Sequence, residues 1–308
     1  MIELNFLPGK RIIPLHMKTS RLLLTFACCA ATSLFAQEYR IQVNRPAKAG
    51  QEFQLSCRFQ ETHRISASFA GRSSPEQKTN YVAELDGLMR ILETDSNGRI
   101  KRASCTISNC VRVEDRYKRE LLPPRAVVTA STEQGKLQLL ANGKSVGLET
   151  QKILAFGMQV DPDEAQTEEV FSTDTPRKVG DSWENDPEKL RGVLKMQRLG
   201  ITSSDIQGRT TLEQVVKVGD EECLDLASKI YLKKFTPPLP PGVQIRQAFG
   251  ALRLTGKFPV DASMAALEEG IEFDYSFVAQ LGGATNAPGI TTKTSSTVKG
   301  ILQRKYLK

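Results

Sequence analysis

The chain has 308 residues, 42 Lys and Arg against 35 Asp and Glu, and a formal charge of +7, which gives room for one large β domain or two smaller ones. Its charges alternate in sign, and no stretch packs basic with aromatic residues as nucleic-acid binders do. There are two histidines, and only His63 lies beyond residue 36, so an exported chain lacking the first 36 residues has no site with two imidazole ligands.

In chain order, residues 1–16 (MIELNFLPGKRIIPLH) contain Glu3 and two prolines and suit no targeting signal, so Met17 is read as the start. Residues 17–36 form a secretory signal peptide. Lys18 and Arg21 supply the basic region, Leu22–Ala31 the apolar run, and a small residue precedes a cut after Ala36. The apolar run is shorter than the roughly 20 residues that span a bilayer, so a retained membrane anchor is disfavoured and the mature chain has no transmembrane segment. Neither Cys28 nor Cys29 sits in a good lipidation context. Removing the leader takes away four basic and one acidic residue and leaves a net charge of +4.

The mature chain reads mainly as strand and turn. Glu38–Asn44, Gln51–Phe59 and His63–Phe69 alternate apolar and polar residues. Tyr81–Thr94 is a long strand, Asp95–Gly98 its turn and Arg99–Ile107 the return. Ala126–Thr132 and Lys136–Leu140 form a hairpin across Glu133-Gln134-Gly135, and Asn142-Gly143 is a further turn. Leu148–Met158 is predicted as a short helix. Asp186-Pro187-Glu188 starts a second, with Leu190, Val193 and Leu194 at helical spacing. Thr210–Val218 and Cys223–Leu232 flank a Gly219-Asp220 turn. Phe249–Phe258, Gly270–Leu281 and Thr291–Arg304 are three more strands, the last two separated by the loop Gly282–Gly289. The fold class is therefore mainly β: long antiparallel strands in a curved sheet or half-barrel, with one or two short helices. Acidic residues 161–177 form the linker or loop between a first half, 37–160, and a second half, 178–308.

Four cysteines remain in the mature chain. Cys105 and Cys110 flank the turn-like TISN, which suggests a bridge across a hairpin and leaves Cys57 to pair with Cys223. Four buried free thiols are the alternative. Cys57 and His63 would face each other if a turn separated them, but nothing in sequence supplies the lowered thiol pKa that catalysis needs. Asp161, Asp163, Glu164, Glu168 and Glu169 lack the glycine and closing glutamate of a calcium loop. Thr236–Gly242 (TPPLPPG) is a stiff loop. No nucleophile elbow, zinc motif, phosphate loop or dinucleotide fingerprint is present, and no cofactor is expected.

The segment Lys178–Trp183 (KVGDSW) holds the only Trp. Gly180-Asp181 makes a turn, and Trp183 is expected to plug the core behind it. With Thr211–Leu226 (TLEQVVKVGDEECLDL), it resembles exported bacterial β-rich proteins of unknown function that carry a K-V-G-D-x-W motif between two hairpin-rich halves. The resemblance spans residues 40–305 and implies no active site. The architecture is also similar to the curved half-barrels of lipoprotein carriers. The expectation is an exported, non-catalytic protein of the periplasm, outer envelope or exterior, which binds an apolar ligand, a wall component or an envelope protein. An assembly protein of the envelope and a carboxylate-based hydrolase are the alternatives.

Overall fold

A computed structural model of the chain describes residues 37–307, apart from 44, 134, 161–169, 197–198, 238, 240–241 and 282–288. Residues 1–36, read above as extension and leader, the acidic stretch 161–169, Pro238, Pro240 and Pro241, and most of the Gly282–Gly289 loop therefore lie outside the described residues. So does the side chain of Val193.

The strands are β1 (Glu52–Phe69), β2 (Arg72–Ser73), β3 (Gln77–Thr94), β4 (Ile100–Glu114), β5 (Tyr117–Glu120), β6 (Val127–Glu133), β7 (Lys136–Ala141) and β8 (Lys144–Ser145). Helix α1 (Leu148–Met158) follows, then β9 (Ser182–Glu184) and helix α2 (Pro187–Met196). The chain ends with β10 (Ile206–Val218), β11 (Glu221–Leu232), β12 (Val243–Pro259), β13 (Glu268–Leu281) and β14 (Ile290–Tyr306). They form one open antiparallel sheet in the order 8-7-6-4-3-1-14-13-12-11-10-9, with β2 beside β1 and β5 beside β4. The first half runs outwards from the centre and the second runs inwards. The two meet where β1 pairs with β14 from Phe53–Tyr306 to Ser68–Thr291.

Register shows that both helices lie on one face. Residues directly opposite each other across a ladder point the same way. The row Cys110–Leu85–Cys57–Leu302–Glu269–Gly256–Leu226–Leu212 crosses eight strands from β4 to β10. At its first end Gly157 of α1 sits so close to Leu85 that an added Cβ would lie 2.7 Å from Leu85 Cδ2. Four residues from its other end along β10, and so on the same face, a Cβ on Gly208 would lie 2.8 Å from Leu190 of α2. We call this the helix face.

The helices form for local reasons. In α1, Thr150, Ile153, Leu154, Gly157 and Met158 are buried, the stripe of an amphipathic helix. Its first-turn Glu149 favours the positive helix end and pairs with Arg112 and Arg119. In α2, Asp186 Oδ1 accepts from the Glu188 N–H at 2.8 Å, Pro187 starts the helix, and Leu190 and Leu194 are buried.

The structure changes several expectations. The strands predicted at Gln51–Phe59 and His63–Phe69 are one 18-residue strand. Of the strand predicted at Glu38–Asn44, the described residues 38–43 do not form one: Tyr39 makes a single bridge with Arg177, while Ile41 and Val43 are buried in the second-half core. Of the acidic stretch, Val170 and Phe171 are buried in that core too, with Phe171 edge-on to Phe258 at 5.6 Å.

The disulfides are corrected. All four cysteines are free and buried. TISN is the interior of continuous β4, not a turn, so Cys105 and Cys110 lie about 17 Å apart along an extended strand, where a bridge needs Cα atoms within about 7 Å. Cys57 and Cys223 are four strand spacings apart, about 19 Å, and Cys223 is on the opposite face from the row of Cys57. Burial pushes the Cys57 and Cys105 thiols up to about 12 and Cys110 up to about 11, from an ordinary 9.0. Two results follow. The native protein should show no free thiol to Ellman's reagent and four in denaturant without reductant once the leader is gone. A raised folded pKa contributes stability that is intact below pH 9 and lost as pH climbs towards 12. The urea midpoint should therefore be level at pH 7–8.5 and fall above pH 9; a rising midpoint there would contradict the thiol burial.

Candidate functional site on the helix face

Strand and helix lengths differ sharply. An 18-residue strand extends about 59 Å and an 11-residue helix about 17 Å. Helix α1 packs on β1, β3 and β7, and α2 on β10. The central strands β14 and β13 therefore carry their helix face well past either helix.

Stepping two residues at a time along that face gives its lining. Beyond Phe59 and Gly300 come Glu61–Val298–Phe273–Leu252, then His63–Ser296–Tyr275–Gly250. Next are Ile65–Thr294–Phe277–Ala248 and Ala67–Thr292–Ala279–Ile245. At the tip Leu281 pairs with Ile290 and Val243, and Phe69 follows Ser68 beside Ile290. This field spans four strands, roughly 15 Å, and five rows, roughly 26 Å. It is apolar apart from Glu61, His63, Ser296, Thr294 and Thr292. Phe277 and Ala279 are buried, whereas Phe69, Leu281 and Ile290 at the tip are 53%, 49% and 40% exposed. Ala248 and Leu252 are buried as well, and with Phe277 and Ala279 they belong to the second-half core, so the exposed apolar part of the field is its tip. From the loop after β11, Phe235 meets Tyr275 edge-on at 6.2 Å, and Phe273 lies 5.0 Å from Tyr275.

Charge borders the field on the first-half side. Tyr81 Oη donates to Glu61 Oε2 at 2.6 Å, and Lys152 Nζ is 3.6 Å from the same oxygen. Burial, and then the bond to Glu61, raises the Tyr81 pKa far above its ordinary value. Arg112 stacks over the Tyr81 ring at 4.1 Å and pairs with Glu114 at 2.8 Å and with Glu149. Every carboxylate of this cluster is held by a cation. Two polar atoms inside the field are different. His63 Nδ1 and Ser296 Oγ are buried without a hydrogen-bond partner, and they are register neighbours across β1 and β14.

The opposite face carries a shallow hollow of about 510 Å³. Tyr231 and Phe249 wall it, and Ala251, Ser276, Ser295 and Thr297 line it. Asp274 there accepts from Thr297 Oγ1 at 2.5 Å.

The sequence-predicted residues are not gathered at either place. Lys178, Gly180 and Asp181 form a turn at the far sheet edge: Asp181 Oδ2 accepts from the Lys178 N–H at 2.9 Å, and Gly180 has φ +91°. Trp183 is buried behind it, with Arg177 over its ring at 5.2 Å. Cys57 and His63 share one face of β1 about 20 Å apart, so the thiol–imidazole pair does not exist. Among the described residues no three His, Cys, Asp or Glu are placed to hold a metal ion, and no helix is long and apolar enough to cross a membrane. Reading the sequence missed the field, although the alternation Ile271, Phe273, Tyr275, Phe277, Ala279 was visible as a strand; its position beyond the helices depends on the β1–β14 pairing.

No protein-family model matches the chain, and no curated protein matches it. Among solved structures it is similar to lipovitellin, in a structure titled for its lipid–protein interactions, at 7% identity over 82% of this chain with a TM-score of 0.33. The chain spans a quarter of the length of that lipovitellin chain, 25%. It is also similar to the outer membrane protein OprG from Pseudomonas aeruginosa, at 10% identity over 85% of this chain and 99% of that one, with a TM-score of 0.17. The Pseudomonas aeruginosa MucA/MucB complex matches at 13% identity over 78% of this chain and 88% of that one, TM-score 0.19. Similarities this low transfer neither fold nor function.

Proposed function

We propose that the chain is an exported, non-catalytic protein of the bacterial cell envelope that binds an apolar ligand on the helix face of its sheet. The observation that carries this reading is the apolar field running past both helices to an exposed tip of Phe69, Leu281 and Ile290. The leader read at residues 17–36 and the K-V-G-D-x-W resemblance support the compartment. The hydrolase alternative gains no support at the border of the field, where Glu61, Glu114 and Glu149 are engaged by cations or a tyrosine hydroxyl.

The test uses the chain made with its own leader and recovered from the periplasm of a bacterial host. Native mass spectrometry should show a polypeptide beginning at Gln37 with an additional mass that organic extraction removes. Diphenylhexatriene should bind saturably. The double variant Phe69→Glu/Leu281→Glu, at exposed positions that tolerate charge, should weaken that binding at least tenfold with an unchanged Tm. A ligand-free chain that does not bind the dye would refute the reading.

A further inference from the structure

Ser296 and His63 sit inside the apolar field rather than on its border. Ser296 is 3% exposed, its Oγ has no partner, and the Nδ1 of His63 has none either. Buried polar atoms are almost always hydrogen-bonded, so each exception in a folded protein needs an explanation. As register neighbours, their Cβ atoms are about 5 Å apart and both side chains stand on the same face. One small acceptor placed above them would reach both. The row on one side holds Glu61, Val298 and Phe273, and the row on the other Ile65, Thr294 and Phe277.

We infer that this pair is the polar anchor of the field, and that the ligand is an acyl ester whose carbonyl oxygen accepts from Ser296 Oγ–H and from His63 Nδ1–H while its chain lies along the strands. The inference rests on the apolar-ligand reading and adds the ligand's chemical class. Charge selects the ester over a free fatty acid. The ionised group facing the anchor from β1 is Glu61, one row away on the same face, and Lys152 and Tyr81 already engage it. On β14 the neighbouring side chains are Thr294 and Val298, and on β13 Tyr275. Among the described residues the anchor row and the rows beside it carry no Lys or Arg, and Lys152 is engaged by Glu61, so desolvating a carboxylate there would be costly. A neutral carbonyl needs donors only, which is what the two orphaned atoms supply.

The anchor is tested with three probes on the mature chain: diphenylhexatriene, which has no polar atom, cis-parinaric acid methyl ester, and cis-parinaric acid. The wild type should bind the methyl ester more tightly than the acid. Ser296→Ala should weaken the methyl ester at least tenfold and diphenylhexatriene less than twofold, and Ser296→Thr should restore ester binding because it keeps the hydroxyl. If Ser296→Ala leaves all probes unchanged, or weakens all equally, the anchor is wrong although the apolar site stands. If the wild type binds none of the three, the site itself is wrong.

Discussion

Replacing Asn185 with alanine is expected to lower the unfolding free energy by about 3–5 kcal/mol, since each buried group left without a partner costs about 1–3 kcal/mol. Asn185 lies two residues after Trp183 of the turn motif and is buried. Its Nδ2 donates to the Val170 carbonyl at 2.5 Å and to Thr210 Oγ1 at 2.7 Å. Its Oδ1 accepts from Ser228 Oγ at 3.1 Å, and its own N–H donates to the Gly208 carbonyl at 2.9 Å. Thr210 and Ser228 are fully buried on β10 and β11. One side chain thus satisfies two strands and the segment that enters from residue 170. Removing partners together should cost less than removing Asn185 alone. Asn185→Ala combined with Thr210→Val and Ser228→Ala should recover part of the lost stability in urea titrations. A triple variant as unstable as the sum of the singles would show that volume, and not unmet hydrogen bonds, sets the cost.

This network marks the boundary of what the residues reveal before folding. The Gly180-Asp181 turn and the Trp183 plug follow from local chemistry, as do the Asn142-Gly143 and Gly219-Asp220 turns, where the positive φ of Asn142, Gly143 and Gly219 suits those residues. Helix α1 is legible end to end because no breaker interrupts Leu148–Met158 until Gly157. Asn185 is not legible, since Thr210 and Ser228 look like ordinary strand polar residues until two strands and Val170 are brought round one amide. The TISN segment fails for the opposite reason. Its turn propensity is overridden by pairing on both sides, with Cys105 opposite Met89 and Val128. The apolar field depends on a still longer-range event, the pairing of the first long strand with the last. No local signal links Phe53 to Tyr306, and without that link Ile65, Phe69 and Ile290 read as unrelated strand residues.

The same central pairing sets the second large effect. Arg304 Nη1 lies 2.7 Å from Glu269 Oε2, with the two side chains 9% and 17% exposed. Glu269 is the one charged member of the eight-strand row, between Leu302 and Gly256. Arg304 also donates to the Ala266 carbonyl at 2.9 Å and to Gln159 Oε1 at the end of α1, so it ties the first-half helix to the loop that begins β13. Arg304→Met should cost about 3–5 kcal/mol, because it leaves a buried carboxylate without its partner. Adding Glu269→Leu should return most of that loss, since replacing both members of a buried pair by apolar groups is often neutral or better. An equally unstable double variant would place the cost in the Ala266 and Gln159 bonds instead. The pair lies on the far side of Gly300 and Phe156 from the field: a Cβ on Gly300 would lie 2.5 Å from the Phe156 ring. Below its own melting temperature, Arg304→Met should therefore bind diphenylhexatriene like the wild type. Parallel losses of stability and binding would mean that the field has no shape of its own and exists only while the two halves are clamped together.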